Sequence, residues 1–396
     1  VINTITIPSG NSVTINDGAI LKFNLNIAFN VTGALTIGDG DGLGTQTVLT
    51  SFRDTTIGAD ITDGTPAARG NWAQIQVNNG ATVNIDRALI KYADYGLYQV
   101  NTQPAVATTV TNTDIESTDF YGININTSTG QGITLNLDNI TFTDIGRNVS
   151  YHGIYVFAGV NSTFTGTWTR LTMNTVRGSG IYIDDDSSGV VNPTISGLTM
   201  GNLGSIGEYG IRLEGSSTTT PIFTSIPSGV NTINGGFHNL SLDGVSGSYS
   251  DLVMSGATRA TVLISNEPTP LSWIDSSIFF NTAPSPYWLR SGLPGSIGTL
   301  GTANLGYDAT STVTEDYVAL GDNLRNAVLP ANPLGDNLLG ANSIYRVINS
   351  ITVPTGNSVT INDGAILKFN LNTSIFVNGA LTIGDGDGGG TQTVLT

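Results

Sequence analysis

Four groups of side chains in this sequence have the types and spacing for chemistry. Asp184-Asp185-Asp186 supplies neighbouring carboxylates, the residue type that glycosidic hydrolysis uses in pairs as general acid and base. Asp39-Gly40-Asp41-Gly42 puts acids at alternate positions with glycine for a sharp turn, like the start of a calcium loop. Asp54, Asp60 and Asp63 follow closely, so Asp39, Asp41, Asp54, Asp60 and Asp63 form a candidate ligand set for Ca2+, and the Asp-Gly motif returns at Asp385 and Asp387. The competing reading is that Asp-Gly repeats make turns. Tyr95, Tyr121, Tyr151 and Tyr209 each sit just before a recurring Gly or His-Gly, either as a stripe that stacks on sugar rings or as a structural ladder at chain corners. His152 and His238 are the only histidines and lie too far apart for a zinc signature. The absence of cysteine excludes thiolate sites and disulfides.

Any such group must be held by strands. Of 396 residues, 50 are glycine and only 11% are charged. Thr, Ser, Asn, Val and Ile dominate the rest, which favours strands and tight turns. Lys+Arg is 14 against Asp+Glu 30, a net charge of −16. That excludes nucleic acid as a partner and argues against an anionic membrane surface. No apolar run is long enough to span a membrane. A short motif of Gly, then Ile or Leu, then alternation occurs at Gly96-Leu97, Gly122-Ile123, Gly153-Ile154, Gly180-Ile181 and Gly210-Ile211. Further runs are Asn139–Phe142, Arg170–Met173, Gly197–Met200 and Asn239–Leu242. Strands this short bury a face only by stacking. A period of about 27 residues with two or three strands predicts a parallel β-helix. Ile123, Ile125, Ile181, Ile183, Ile211 and Leu213 then point inward, and Asn124, Tyr182 and Arg212 outward. Crossover chirality predicts a right-handed coil, with about ten coils over residues 1–267.

The strongest signal is a copied segment. Residues 1–50 return at 347–396, and only nine positions differ. The expectation is a tandem array of modules, seen here as one module and the start of the next. Residues 268–333 carry seven of the 14 prolines, which predicts a proline-rich connector over 268–346. Thr312-Val313-Thr314-Glu315 reads as a capping box, with a short helix through Asp316–Leu320. Trp273, Phe279, Phe280, Tyr287 and Trp288 predict that the connector is packed.

The opening resembles bacterial surface proteins with right-handed parallel β-helix domains of the pectin-lyase-like superfold. The resemblance rests on Ile5-Thr6-Ile7-Pro8-Ser9-Gly10, Val13–Phe23, Gly33–Ile37, Val48–Asp54 and Gly70-Asn71-Trp72. It covers about the first ninety residues in detail and the rest through coil pattern alone. Within that superfold, Asn112-Thr113-Asp114 matches the first motif of polygalacturonase-like hydrolases, and His152-Gly153 a fragment of another. Yet the acid run follows the histidine here, and no Arg-x-Lys is present. The expectation is therefore an all-β, non-catalytic structural module of an extracellular or cell-surface fibre, sheath or filament, whose partners are copies of itself. The alternatives are an adhesin that binds cell-surface polysaccharide through the β-helix face and a polysaccharide lyase or hydrolase.

Overall fold

The computed structural model describes residues 1–40, 43–101, 106–185, 189–203, 209–215, 219–224, 231–250, 252–265, 272–274, 277–280, 285–290, 304–307, 317–324, 327–329, 344–384 and 391–396. Every strand pairing among them is parallel, and strands stack in long sheets, as in a parallel β-helix. The first sheet opens with Ile5–Ile7, Phe29–Val31 and Ile75–Val77 and reaches its tenth strand at Ala260–Ser265. The second opens with Ser12–Ile15, Ala34–Ile37 and Thr82–Asp86. The third opens with Ile20–Phe23, Thr47–Ser51 and Ala88–Lys91. The chain visits the three in turn, once per coil.

Alternation builds the core. Ile123, Ile154, Ile181, Ile211, Leu240 and Val262 stand in register on successive strands, and all are fully buried. Ile125, Val156, Ile183, Leu213, Leu242 and Ile264 form the parallel row two residues on. Of the positions expected outward, Tyr182 and Arg212 are partly exposed, but Asn124 is covered, lying in register between Tyr98 and Tyr155.

Two corners explain the recurring small and polar residues. Val106–Glu116, Gly132–Thr143 and Thr167–Met173 each run through the second sheet and into the third. They bend at Asn112, Asn139 and Arg170, whose φ values are 47°, 58° and 53°. Asparagine tolerates this left-handed conformation best among residues with a side chain, and the Asn139 Nδ2 donates to Asn112 Oδ1 at 2.9 Å between coils. At the corner entering the first sheet, a Cβ on Gly96, Gly122, Gly153 or Gly180 would lie 2.6 to 2.9 Å from the carbonyl oxygen of the next glycine in the row. Only glycine lets adjacent coils close to ladder spacing there.

Three expectations change. Asn239–Leu242 belongs to the first sheet, in His238–Asp243, rather than grouping with the third-sheet runs at 140–142 and 171–173. The helix expected through Asp316–Leu320 is not formed where the structure is described: Tyr317–Asn323 is a strand between Ser285–Arg290 and Ile344–Val353. A helix of a few residues is marginal alone, and ladder pairing on both sides outweighs it. The capping box, Asp316, and the side chains of Trp273, Phe279, Phe280, Tyr287 and Trp288 lie outside the described residues. Parallel pairing also runs on past Asn266, through Ser272–Ile274, Ser277–Phe280 and Ser285–Arg290, where the connector was expected.

The copied segments fold alike. Ile5–Ile7 pairs with Phe29–Val31, as Ile351–Val353 does with Ile375–Val377. Ser12–Ile15 pairs with Ala34–Ile37, as Ser358–Ile361 does with Ala380–Ile383. The second copy also rests on the coil before it. Asp322 and Asn323 pair with Ile351 and Thr352, and Ala327–Leu329 pairs with Val359–Ile361. Val359, Ala365 and Leu367 are consequently buried, whereas Val13, Ala19 and Leu21 are only partly so.

Candidate functional site

An aromatic column crosses the outer face of the first sheet. Tyr98 stacks on Tyr95 at 5.1 Å, Tyr95 on Tyr121 at 5.8 Å and Tyr121 on Tyr155 at 5.3 Å between ring centres. Tyr182 follows Tyr155 at 5.2 Å, and Arg212 covers the rings of Tyr182 and Tyr209. Tyr209 stacks on His238 at 5.6 Å, and Tyr151 meets Tyr121 edge-on at 5.4 Å. Register between strands stacks Tyr155 and Tyr182 directly, and where Asn124 stands between Tyr98 and Tyr155 the corner residues Tyr95 and Tyr121 carry the column across. All four tyrosines singled out from the sequence belong to it. Tyr98, Tyr155 and Tyr182 were missed in that role because they sit inside the strands rather than before the corner glycines.

The column's geometry constrains its chemistry. Stacked neighbours cover ring faces along the coil axis, leaving ring edges for solvent. A sugar platform needs a free face. The hydroxyls are engaged as well: Tyr182 donates to Glu214 Oε2 at 2.6 Å, and Tyr155 and Tyr121 donate at 3.5 Å to Asp184 and to the Ser150 carbonyl. Burial raises the hydroxyl pKa of Tyr121, Tyr155 and Tyr182, and that of Tyr95 to about 12. These rings are neutral at physiological pH and act as staples between coils.

The hydrolase candidates do not assemble. Asp184 accepts from Tyr155, while Asp185 is buried and accepts from Gly189 N–H at 2.8 Å and Thr219 Oγ1 at 2.7 Å. Asp186 lies outside the described residues. Asn112 forms the bend, and Asp114 accepts from Gln46 Nε2 at 2.9 Å. His152 is buried, and its Nδ1 accepts from Ser179 N–H at 2.9 Å. Burial, with Arg212 nearby, pulls its pKa down to about 3. A neutral imidazole already bonded to backbone holds a corner; it does not shuttle protons.

One acid pair escaped the sequence reading. Burial, then Asp119 beside it, raises the Asp94 pKa to about 6, while Arg147 holds Asp119 at 3.3 Å. A carboxyl whose pKa is raised beside a second acid is the electrostatic pattern of general acid/base pairs. Here Gly70 closes over it, since a Cβ there would lie 2.9 Å from Asp94 Oδ1. The two residues come from successive coils, so no local motif announces them.

The expected calcium ligands separate. Asp54 is buried and accepts from Thr50 Oγ1 and Thr56 Oγ1. Asp60 accepts from Thr62 N–H at 3.1 Å, closing a turn. Asp63 forms an ion pair with Arg53 at 2.7 Å. Asp39 is exposed at a different corner, and Asp41 lies outside the described residues. No three acidic or imidazole side chains converge among the described residues. No protein-family model, curated protein or solved structure matches the chain.

Proposed function

We propose that this chain is a non-catalytic structural module of a long extracellular fibre, sheath or surface filament, a right-handed parallel β-helix that grows by end-to-end stacking of tandem copies. The carrying observation is the junction: the second copy's first coil pairs through Asp322↔Ile351 and Ala327↔Val359 with the coil that ends the first module. A stacked solenoid otherwise leaves unpaired N–H and C=O groups at its ends, which are open to the wrong partners. A successor copy satisfies those groups with the same register that joins coils inside a module. The two copies support this reading reciprocally. Ile37, Val31 and Leu49 are buried under a third coil, whereas Ile383, Val377 and Leu395 are 48%, 45% and 46% exposed without one.

The stacked aromatic column favours the structural reading over the carbohydrate adhesin, because its ring faces are occupied by one another. The net charge of −16 gives rods mutual repulsion and keeps them from bundling side by side. One module spans twelve coils and about a third of another, which at the ~4.8 Å strand spacing is about 59 Å. Electron microscopy of the native assembly tests the proposal. Unbranched filaments with an axial period near that length support it, and isolated single molecules overturn it.

A further inference from the structure

The corner between the second and third sheets is irregular in the second coil, and there the structure holds two buried carboxylate oxygens that receive no hydrogen bond. Asp86 is 6% exposed. Its Oδ1 accepts from Thr111 Oγ1 at 2.6 Å and from Asn112 Nδ2 at 2.9 Å, but its Oδ2 is buried with no donor. One coil earlier on the other side, Asp17 Oδ1 is likewise buried with no donor. The Asp86 backbone carbonyl and the Asp17 carboxylate both come against Gly38, whose φ is +78°. A Cβ on Gly38 would lie 2.4 Å from the Asp86 carbonyl oxygen and 3.2 Å from Asp17 Oδ1. Asp39 and Asp86 both line the open groove of about 340 Å³ in front of this point, with Thr36, Asn84, Thr109 and Thr111.

Burying an ionised carboxylate with half its acceptor capacity unused is costly, and the usual remedies are a proton, a basic side chain or a metal ion. The surrounding oxygens are all hard donors: carboxylate, carbonyl, hydroxyl and amide. Such a set suits Ca2+, which accepts irregular coordination by carboxylates, carbonyls and water. The second copy repeats half of the arrangement, with Asp363 Oδ1 2.7 Å from the corresponding Cβ position on Gly384.

We propose that this corner binds one divalent cation of calcium's class through the Asp86 and Asp17 carboxylates, with Asp39 at the rim. The site keeps one of the acids expected from the sequence and replaces Asp54, Asp60 and Asp63 with two from neighbouring coils. The ion would tie the first three coils together at this corner.

The test uses the full chain, stripped with chelator and titrated with CaCl2 by calorimetry, with melting followed in chelator and in excess Ca2+. The wild type takes up Ca2+ saturably and melts higher in its presence. Asp86→Asn keeps the Thr111 bond, weakens uptake at least tenfold, and in chelator melts no lower than wild type because it removes an uncompensated charge. Asp17→Asn weakens uptake similarly, whereas Asp63→Asn, whose carboxylate serves Arg53, leaves it unchanged. Identical wild-type melting in chelator and Ca2+ overturns the proposal. So does wild-type uptake by Asp17→Asn, a readout that stands even if Asp86→Asn fails to fold.

Discussion

At the residue scale, small corner positions and one buried imidazole carry most of the consequence. Gly122 illustrates the first: a Cβ there meets Phe142 Cδ1 at 2.6 Å and the Gly153 carbonyl at 2.7 Å. Gly122→Ala is expected to cost about 1–3 kcal/mol, because backbone on the adjacent coil cannot yield as a side-chain tip can. Chemical denaturation of the variant measures it. His152 illustrates the second. Its folded pKa of about 3 is below the unfolded value near 6.5, so the neutral ring stabilises the fold above pH 6.5. That contribution drains away as pH falls towards 3, with a total on the order of a few kcal/mol. His152→Gln retains an acceptor for Ser179 N–H and should flatten the decline in melting temperature between pH 6.5 and 4. Asp94 runs the other way. Its pKa is raised to about 6, so its contribution is full below the unfolded value near 3.8 and is lost as pH rises through 6. Asp94→Asn should therefore stabilise the protein at neutral pH.

At the element scale, the segment between Ser51 and Ile75 works as a strap. Lys22, 8% exposed on the third sheet, donates from Nζ to the carbonyls of Asp54 and Ala59, both at 2.6 Å. Further along, Arg69 bonds to Asp144 and donates to the Gly146 carbonyl at 2.6 Å, reaching several coils up the stack. Lys22→Met retains the apolar stem but leaves both carbonyls without their donor. Limited trypsinolysis should then cut after Arg53 several-fold faster than in wild type, while the circular dichroism of the stacked sheets stays unchanged. The strap was illegible beforehand because its anchors lie 32 to 77 residues away from it in sequence.

At the scale of the whole molecule, the junction turns the module. Ile20–Phe23 lies in the third sheet of the first copy, but its counterpart Ile366–Phe369 continues the first sheet through Ile344–Val353. The register shift between Leu320 and Asp322 makes the change, as one strand bends from one face to the next. The second copy is thus rotated by about a third of a turn relative to the first, in a coil with three faces, and stacking of further copies as proposed would repeat that rotation. Helical reconstruction of the filament should find about three modules per turn, so the aromatic columns wind round the rod. A reconstruction with no rotation between modules would contradict the junction geometry.

The sequence by itself determined the strand type, the inward rows at Ile123, Ile181 and Ile211, and the kinship of the two fifty-residue copies. These are properties of period-two alternation and of identity, both readable along one dimension. The coil count over residues 1–267 was legible for the same reason. Only the tertiary structure decided which carboxylates share a corner, that Tyr317–Leu320 is strand, and that Asn239–Leu242 lies on the first sheet. In a parallel stack every residue's nearest partners lie a full coil away, and coil length varies from turn to turn. Such neighbours are set by register between coils, which no local motif encodes.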